Sequence, residues 1–347
     1  MNIVFLGFQT WGLVSLRAIT ESGSRVSLAV SHPDEVEEFY FSFTRSIKPF
    51  CEERDIPYVP AINLQEEWIA KRIKEAGPDL IVSSNWRTHI PQSILSLAPN
   101  GGINVHRSLL PKYGGVAPLN WAIANGEKTT GVTIHKIAPE FDLGDILEQE
   151  EIGIGPNETA TELFHRTTPI IERILIESIK GISSGTIKPR KQNPHEATFF
   201  HKRTPRECAI DWNHSSTTIH NLIRAQSDPF PNAFTLFRGK VLKIKRASIG
   251  PHGYRGTPGR LAARTSDGVV IICGAGVDHA IHSITVHEVQ EGNDLPRPAL
   301  EYFKKLGEYL GPPNQECSAF EQMKTLQEQD RAGWVSCSDK TLIGRSE

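Results

Sequence analysis

NIVFLGFQTWGLVSLRAITESGSRVSLAVS, Asn2 to Ser31, decides the fold. Its first six residues, NIVFLG, form a short apolar run that ends in glycine, the pattern of a buried strand. Within residues 10–22, Leu13, Leu16, Ala18 and Ile19 recur at roughly helical spacing, and RVSLAVS (25–31) returns to a strand pattern. Strand, helix, strand in so short a span is a β-α-β unit, in which the helix carries the chain back so that the two strands run parallel.

The alternation continues outward. Residues 44–54 read as a helix made uncertain by Pro49, IPYV (56–59) as a strand, 66–76 as a helix, DLIVSS (79–84) as a strand and GGINVH (101–106) as the next strand. This is the pattern of an α/β doubly wound, parallel-type, Rossmann-like sheet, whose ligands sit beyond the carboxyl ends of its strands. The loops that matter are then FQTWG, SNWRTHIP and the stretch after His106. Residues 117–125 have a helical pattern, TTGVTIHKI (129–137) alternates as a strand, and APEFDLGD (138–145) is a loop before ILEQEEI. A long amphipathic helix follows over 159–183, with a kink expected at Pro169. Residues 1–186 are expected to form one catalytic domain.

Residues 187–205 are polar, basic and punctuated by proline, as in a linker. Beyond them, 233–249, 260–276 and 282–290 read as short strands with glycine turns, with one helix over 216–225. This is a smaller β domain, barrel-like or OB-like, over 206–311. The tail, 312–347, reads as an appended helix or a disordered end. GFQTWG lacks the G-x-G-x-x-G spacing of a dinucleotide loop.

Among 347 residues, 38% are hydrophobic and 22% charged, ordinary for a soluble globular chain, and the net charge of −2 supplies no basic field for nucleic acid. Cys51, Cys208, Cys273, Cys317 and Cys337 are scattered without metal or redox spacing, so reduced thiols are expected. With no signal-peptide pattern at the start and no apolar run of membrane-spanning length, a cytoplasmic location is expected.

Asn104 and His106 flank Val105, so both side chains leave one face of a strand at its carboxyl end. An amide and a protonated imidazole there can hold a carbonyl oxygen on which negative charge develops; the plainer alternative is a polar strand end satisfied by backbone groups. The EFDLGD loop offers Asp142 and Asp145, either of which could orient the imidazole and relay a proton.

INVHRSLLPKYGGVAPLNWAIANGEKTTGVTIHKI followed by FDLGDILEQ resembles the formyltransferase superfamily that uses 10-formyltetrahydrofolate, including methionyl-tRNA and nucleotide-sugar formyltransferases. IDW, LIRAQSDPFPNAFT and GKVLKI extend the resemblance into the second domain. The resemblance implies that Asn104, His106 and Asp142 are the catalytic trio, with Asp145 as the loop's second acid. It implies that a neutral amine attacks the formyl carbon, that Asn104 and protonated His106 stabilise the oxyanion, and that Asp142 holds His106 and helps the proton reach the departing folate nitrogen. No covalent enzyme intermediate and no metal are implied. The folate cosubstrate is expected against Ser84, Asn85, Trp86 and Arg87, against Leu109, Leu110 and Pro111, and against Ile137 and Asp145. Gln9, Thr10 and Trp11 are expected to touch the acceptor.

Where tRNA formyltransferases carry a basic insertion, this chain has Asp34, Glu35, Glu37 and Glu38, which repel phosphate; Lys188, Arg190, Lys191, Lys202 and Arg203 weigh the other way. GFQTWG, SNWRTHIP, ATFFHKR, RAQSDPFP, GTPGR and EYF resemble the hydroxyornithine formyltransferases of hydroxamate siderophore pathways. A small-molecule amine or hydroxylamine is therefore the expected partner. The alternatives are an amino-sugar nucleotide, suggested by HPDE…EFY, methionyl-tRNA, or water in a formyltetrahydrofolate hydrolase. Oligomeric state is not readable from the sequence.

Overall fold

A computed structural model describes residues 1–34, 45–274 and 282–311 together with Met323, Thr325 and Leu326. Glu35, Glu37, Glu38, Cys317, Cys337 and nearly all of the 312–347 tail lie outside the described residues. The chain divides into two compact units, with the boundary near Lys202.

In the first unit, β1 (Asn2–Gly7), α1 (Gln9–Glu21) and β2 (Arg25–Ser31) form the expected β-α-β unit, β1 and β2 pairing in parallel. There follow α2 (Lys48–Glu53), β3 (Tyr58–Pro60), α3 (Glu67–Glu75), β4 (Leu80–Ser84), the short α4 (Gln92–Leu95) and β5 (Gly102–His106). Pro49 starts α2 rather than breaking it, because a first-turn residue needs no N–H partner. Then come β6 (Gly114–Gly115), α5 (Pro118–Ala124), β7 (Thr129–Lys136), β8 (Ile146–Gly153) and α6 (Ala160–Ser184). Thr159 and Glu162 close a capping box at the start of α6, and the helix runs through Pro169 to a left-handed Gly185.

The sheet order is β3-β2-β1-β4-β5-β7-β8. Up to β5 every pair is parallel, and the apolar residues of β1 and β4 are buried on both faces, under α1 and α6 on one side and α3 on the other. The last two pairings depart from the parallel expectation: β7 runs antiparallel to β5, and β8 antiparallel to β7. The chain leaving β5 re-enters the sheet from the same end, and the short 137–145 connection allows only a hairpin-like return. The 187–205 stretch is attached to this sheet. Ile146 and Arg190 exchange two backbone hydrogen bonds, and β9 (Phe199–Phe200) pairs with β6.

In the second unit, α7 (Ser216–Ala225) precedes β10 (Ala233–Phe237), β11 (Lys240–Ile249), β12 (Leu261–Arg264), β13 (Val269–Ile272), β14 (Ser283–Glu291), β15 (Arg297–Pro298) and α8 (Ala299–Tyr302). The antiparallel order is β10-β11-β14-β13-β12, with β15 on β14. Arg238 and Gly239, both at positive φ, make the tight β10–β11 turn. Backbone hydrogen bonds tie Gly311 to Leu236 on one edge strand and Leu310 to Gly259 beside the other, so residues 309–311 bridge the open edges in barrel fashion. Ile219, Phe237, Leu242, Val269, Ile284 and Phe303 are among its core residues. No helix among the described residues is long and apolar enough to cross a membrane.

Candidate active site

Asn104, His106 and Asp142 come together. The β5–β7 ladder sets Asn104 opposite His135 and His106 opposite Thr133. Ile137 donates its N–H to Gly102 O, so residues 138–145 leave β7 at the amino end of β5. That loop nevertheless returns along the strand, because Asp142 Oδ1 lies 3.7 Å from His106 Nδ1 and 3.5 Å from His135 Nε2. The antiparallel β7 thus brings in the acid from the opposite end to the one that the rule for parallel sheets predicts. His106 Nε2 donates to Tyr113 O at 2.8 Å, since a carbonyl can only accept. The imidazolium form of His106 would therefore find an acceptor on each side, Tyr113 O and Asp142.

Asp142 is mostly buried, with 12% of its side chain exposed. Burial alone would push its carboxyl up, but the His106 imidazole and the N–H of Gly115, 2.9 Å from Oδ2, work against burial, and the carboxyl is held well below the usual carboxylate range. Its backbone is left-handed, at φ 56°. Two features impose that conformation. Gly144 packs so tightly on Lys136 O that a Cβ there would collide, and Gln192 Nε2 donates to both Asp142 O (2.8 Å) and Gly144 O (2.7 Å).

Gln192→Leu removes both clamps but keeps the volume. Its kcat is expected to fall about tenfold through misplacement of Asp142, with a stability loss of about 1–2 kcal/mol for two hydrogen bonds. Steady-state kinetics together with urea denaturation check this; unchanged kcat would show that the loop holds Asp142 without Gln192.

Asp145 is placed apart from this cluster; its carbonyl accepts from Lys136 N–H. Ile137 packs on Gly102, and Leu110 is buried with its N–H on Thr133 Oγ1 and its carbonyl taken by Gln149. Leu109 lies against Gly131, and Pro111 O accepts from Thr198 N–H.

The two carboxyl-end loops after β1 and β4 meet each other. Asn85, at φ 60°, donates to Phe8 O, and Arg87 Nη2 donates to Gln9 Oε1 at 3.3 Å. Ser84 Oγ bonds Trp11 O and Ser15. His32 lies beneath, its ring stacked 4.1 Å from that of Trp86, and its Nε2 accepts the Arg87 N–H. Burial, helped by the Arg87 charge, pushes His32 down to about 4, so it stays neutral and keeps that acceptor. Thr10 Oγ1 accepts from Arg45 N–H, while Trp11 packs against the fully buried Arg107, whose guanidinium lies 4.6 Å from the Trp11 ring and 4.3 Å from Phe164. Burial lowers Arg107 to about 9 against an opposing pull from Glu172, so it is a cation at neutral pH, anchored by Thr167 Oγ1 at 2.7 Å.

Sequence reasoning missed His135, Tyr113, Gly115, Gln192 and His32. A signal existed for His135: Thr133 and His135 repeat, on TTGVTIHKI, the two-residue spacing of Asn104 and His106. Nothing along the chain announces Gln192.

Residues 1–179 match the family described as formyl transferase, and residues 202–307 match formyl transferase, C-terminal domain. The structure is similar to that of WlaRD, a sugar 3N-formyl transferase solved with dTDP and 5-N-formyl-THF, at 21% identity and a TM-score of 0.61, covering 85% of this chain and 99% of that one. It is also similar to HypX from Aquifex aeolicus in complex with tetrahydrofolic acid, at 20% identity and a TM-score of 0.57, over 89% of this chain and 48% of that one. Methionyl-tRNA formyltransferase from Clostridium thermocellum matches at 23% identity and a TM-score of 0.52, over 72% of this chain and 94% of that one. At these identities the likeness is one of fold.

Proposed function

The chain belongs to the formyl transferase family, and from that premise we propose that it moves the formyl group of 10-formyltetrahydrofolate to the nitrogen of a small acceptor, δ-N-hydroxyornithine. The observation that carries this reading is the convergence of His106 and an ionised Asp142, 3.7 Å apart, with the Asn104 amide, which bonds His135, whose ring in turn lies 3.5 Å from Asp142.

The residues present fit a folate. Phe141, 61% exposed beside Asp142, has its ring 6.0 Å from that of His89, so an open aromatic face lies between the loop after Ser84 and the 138–145 loop, both expected to meet the folate. The cosubstrate supplies an electrophilic formyl carbon bonded to a nitrogen that can leave. Asn104 donates an N–H to the formyl oxygen as negative charge develops there, and His106, in the imidazolium form that the family resemblance implies, stabilises that charge electrostatically while its own N–H groups face Tyr113 O and Asp142. Asp142 keeps His106 oriented. The acceptor nitrogen adds to the formyl carbon, the resulting oxyanion collapses as the folate C–N bond breaks, and the acceptor's proton passes to the departing nitrogen.

The electrostatics favour a hydroxylamine. An Asp142 held well below the usual carboxylate range is a weak base and is poorly suited to stripping a proton from an alkylammonium. A hydroxylamine nitrogen is largely neutral at cellular pH and needs no such base. The sequence likeness in GFQTWG, SNWRTHIP and ATFFHKR supports the same acceptor. A nucleotide-linked amino sugar is the second reading, favoured by the sugar formyltransferase of similar fold.

The test is a screen with 10-formyltetrahydrofolate against δ-N-hydroxyornithine, dTDP- and UDP-linked amino sugars, methionyl-tRNA and no acceptor, monitored by tetrahydrofolate release. Turnover with hydroxyornithine at least about 100-fold above the others is expected, a margin corresponding to about 3 kcal/mol of transition-state discrimination. Turnover of a sugar nucleotide with hydroxyornithine inert moves the acceptor to the second reading. Equal folate turnover without acceptor would make the protein a hydrolase.

A further inference from the structure

Resting on that reading, we propose that His135 is a positioning residue which selects the orientation of the Asn104 amide, so that the nitrogen and not the oxygen is presented to the formyl group. His135 lies directly opposite Asn104 in the antiparallel β5–β7 ladder, so the two side chains project on one face. Its ring is buried, and its Nδ1 is 2.9 Å from Lys136 O. A carbonyl cannot donate, so Nδ1 carries a proton, and because the amide nitrogen of Asn104 that faces Nε2 can only donate, Nε2 presents its lone pair. Asn104 Nδ2 is 3.1 Å from that lone pair and donates to it.

A carboxamide has nearly the same shape in both orientations, and only its partners decide which end points where. Turned over, Asn104 would set its oxygen against the His135 lone pair and offer the developing oxyanion a second negative dipole. As held, one N–H of Asn104 goes to His135, and the second N–H of the same nitrogen is left for the formyl oxygen. His135 Nε2 also lies 3.5 Å from Asp142 Oδ1. A proton on Nε2 would therefore give Asp142 a further donor and force the amide to turn. The tautomer of His135 and the donor end of Asn104 are thus one linked choice, made by Lys136 O.

Two variants separate positioning from packing. His135→Gln can place a carbonyl oxygen where Nε2 stands and still accept from Asn104; His135→Leu fills the space with no acceptor. His135→Leu is expected to lower kcat about 30-fold, short of the loss on removing an oxyanion donor outright, because the amide still samples the donating orientation. KM for 10-formyltetrahydrofolate should stay within about twofold and His135→Gln within about fivefold of the wild-type kcat, since the lost interaction acts on the transition state. In the wild-type protein, 15N-labelled histidine spectra should show His135 with Nδ1 protonated and Nε2 bare.

Equal losses in the two variants, a wild-type kcat in His135→Leu, or a proton on Nε2 would each overturn the proposal. The spectrum decides it even where a variant does not fold. Inactive His106→Ala beside fully active His135→Leu removes this inference alone; fully active His106→Ala removes the catalytic reading and this inference with it.

Discussion

Replacement of His106 by alanine is expected to reduce kcat by about 10³-fold or more while leaving the affinity for 10-formyltetrahydrofolate within about threefold, because the loss falls on the transition state. The imidazole is fixed from both sides, by Tyr113 O at 2.8 Å and by the Asp142 carboxylate at 3.7 Å. It is therefore organised before any substrate arrives, and an organised polar group acts on developing charge without further reorganisation. Alanine removes that group and leaves Asp142 without the imidazole that does most to offset its burial. Single-turnover kinetics with folate binding measured separately will distinguish the outcomes. A near-normal rate would take His106 out of the chemistry, and loss of folate binding with a normal rate at saturation would make it a binding group.

The second large effect is expected from Asp142→Asn. An asparagine can still accept the Gly115 N–H through its oxygen, but it has no charge to hold an imidazolium. A kcat loss of about 10³–10⁴-fold is expected, as when a histidine in a catalytic pair loses its carboxylate partner. The same substitution has a pH signature in stability. Asp142 titrates lower in the folded protein than in the unfolded chain, where an aspartate lies near 3.9. Its stabilising contribution is therefore fully present above about pH 4–5 and is lost as pH falls through the folded value. Urea unfolding across pH should find the wild type more stable than Asp142→Asn at neutral pH, with the gap closing in acid. A gap that stays constant with pH would mean that the charge contributes nothing to folding.

The elements that sequence reasoning placed well are those whose signals are local. Apolar runs such as NIVFLG and DLIVSS are buried on both faces and read as strands wherever they occur. Asn104 and His106 share a face because strand side chains alternate, and that needed no partner strand. The elements missed or shifted are those without a periodic signal. Helix α4 has four residues, too few for an amphipathic pattern, and the 190–200 stretch reads as polar linker although its backbone pairs with β6 and β8.

By itself, the sequence determined the β-α-β opening, the smaller β domain, and which amide, imidazole and carboxylates were available for chemistry. All of these follow from residue type and from spacing along the chain. Only the tertiary structure decided that β7 runs against β5, that the 138–145 loop folds back to set Asp142 between His106 and His135, and that Gln192, 50 residues further on, holds that loop in place. Strand direction, the register that sets Asn104 opposite His135, and the charge state of a buried carboxylate are properties of pairs of groups distant in sequence. They exist only when the chain has closed and water has been displaced from between them.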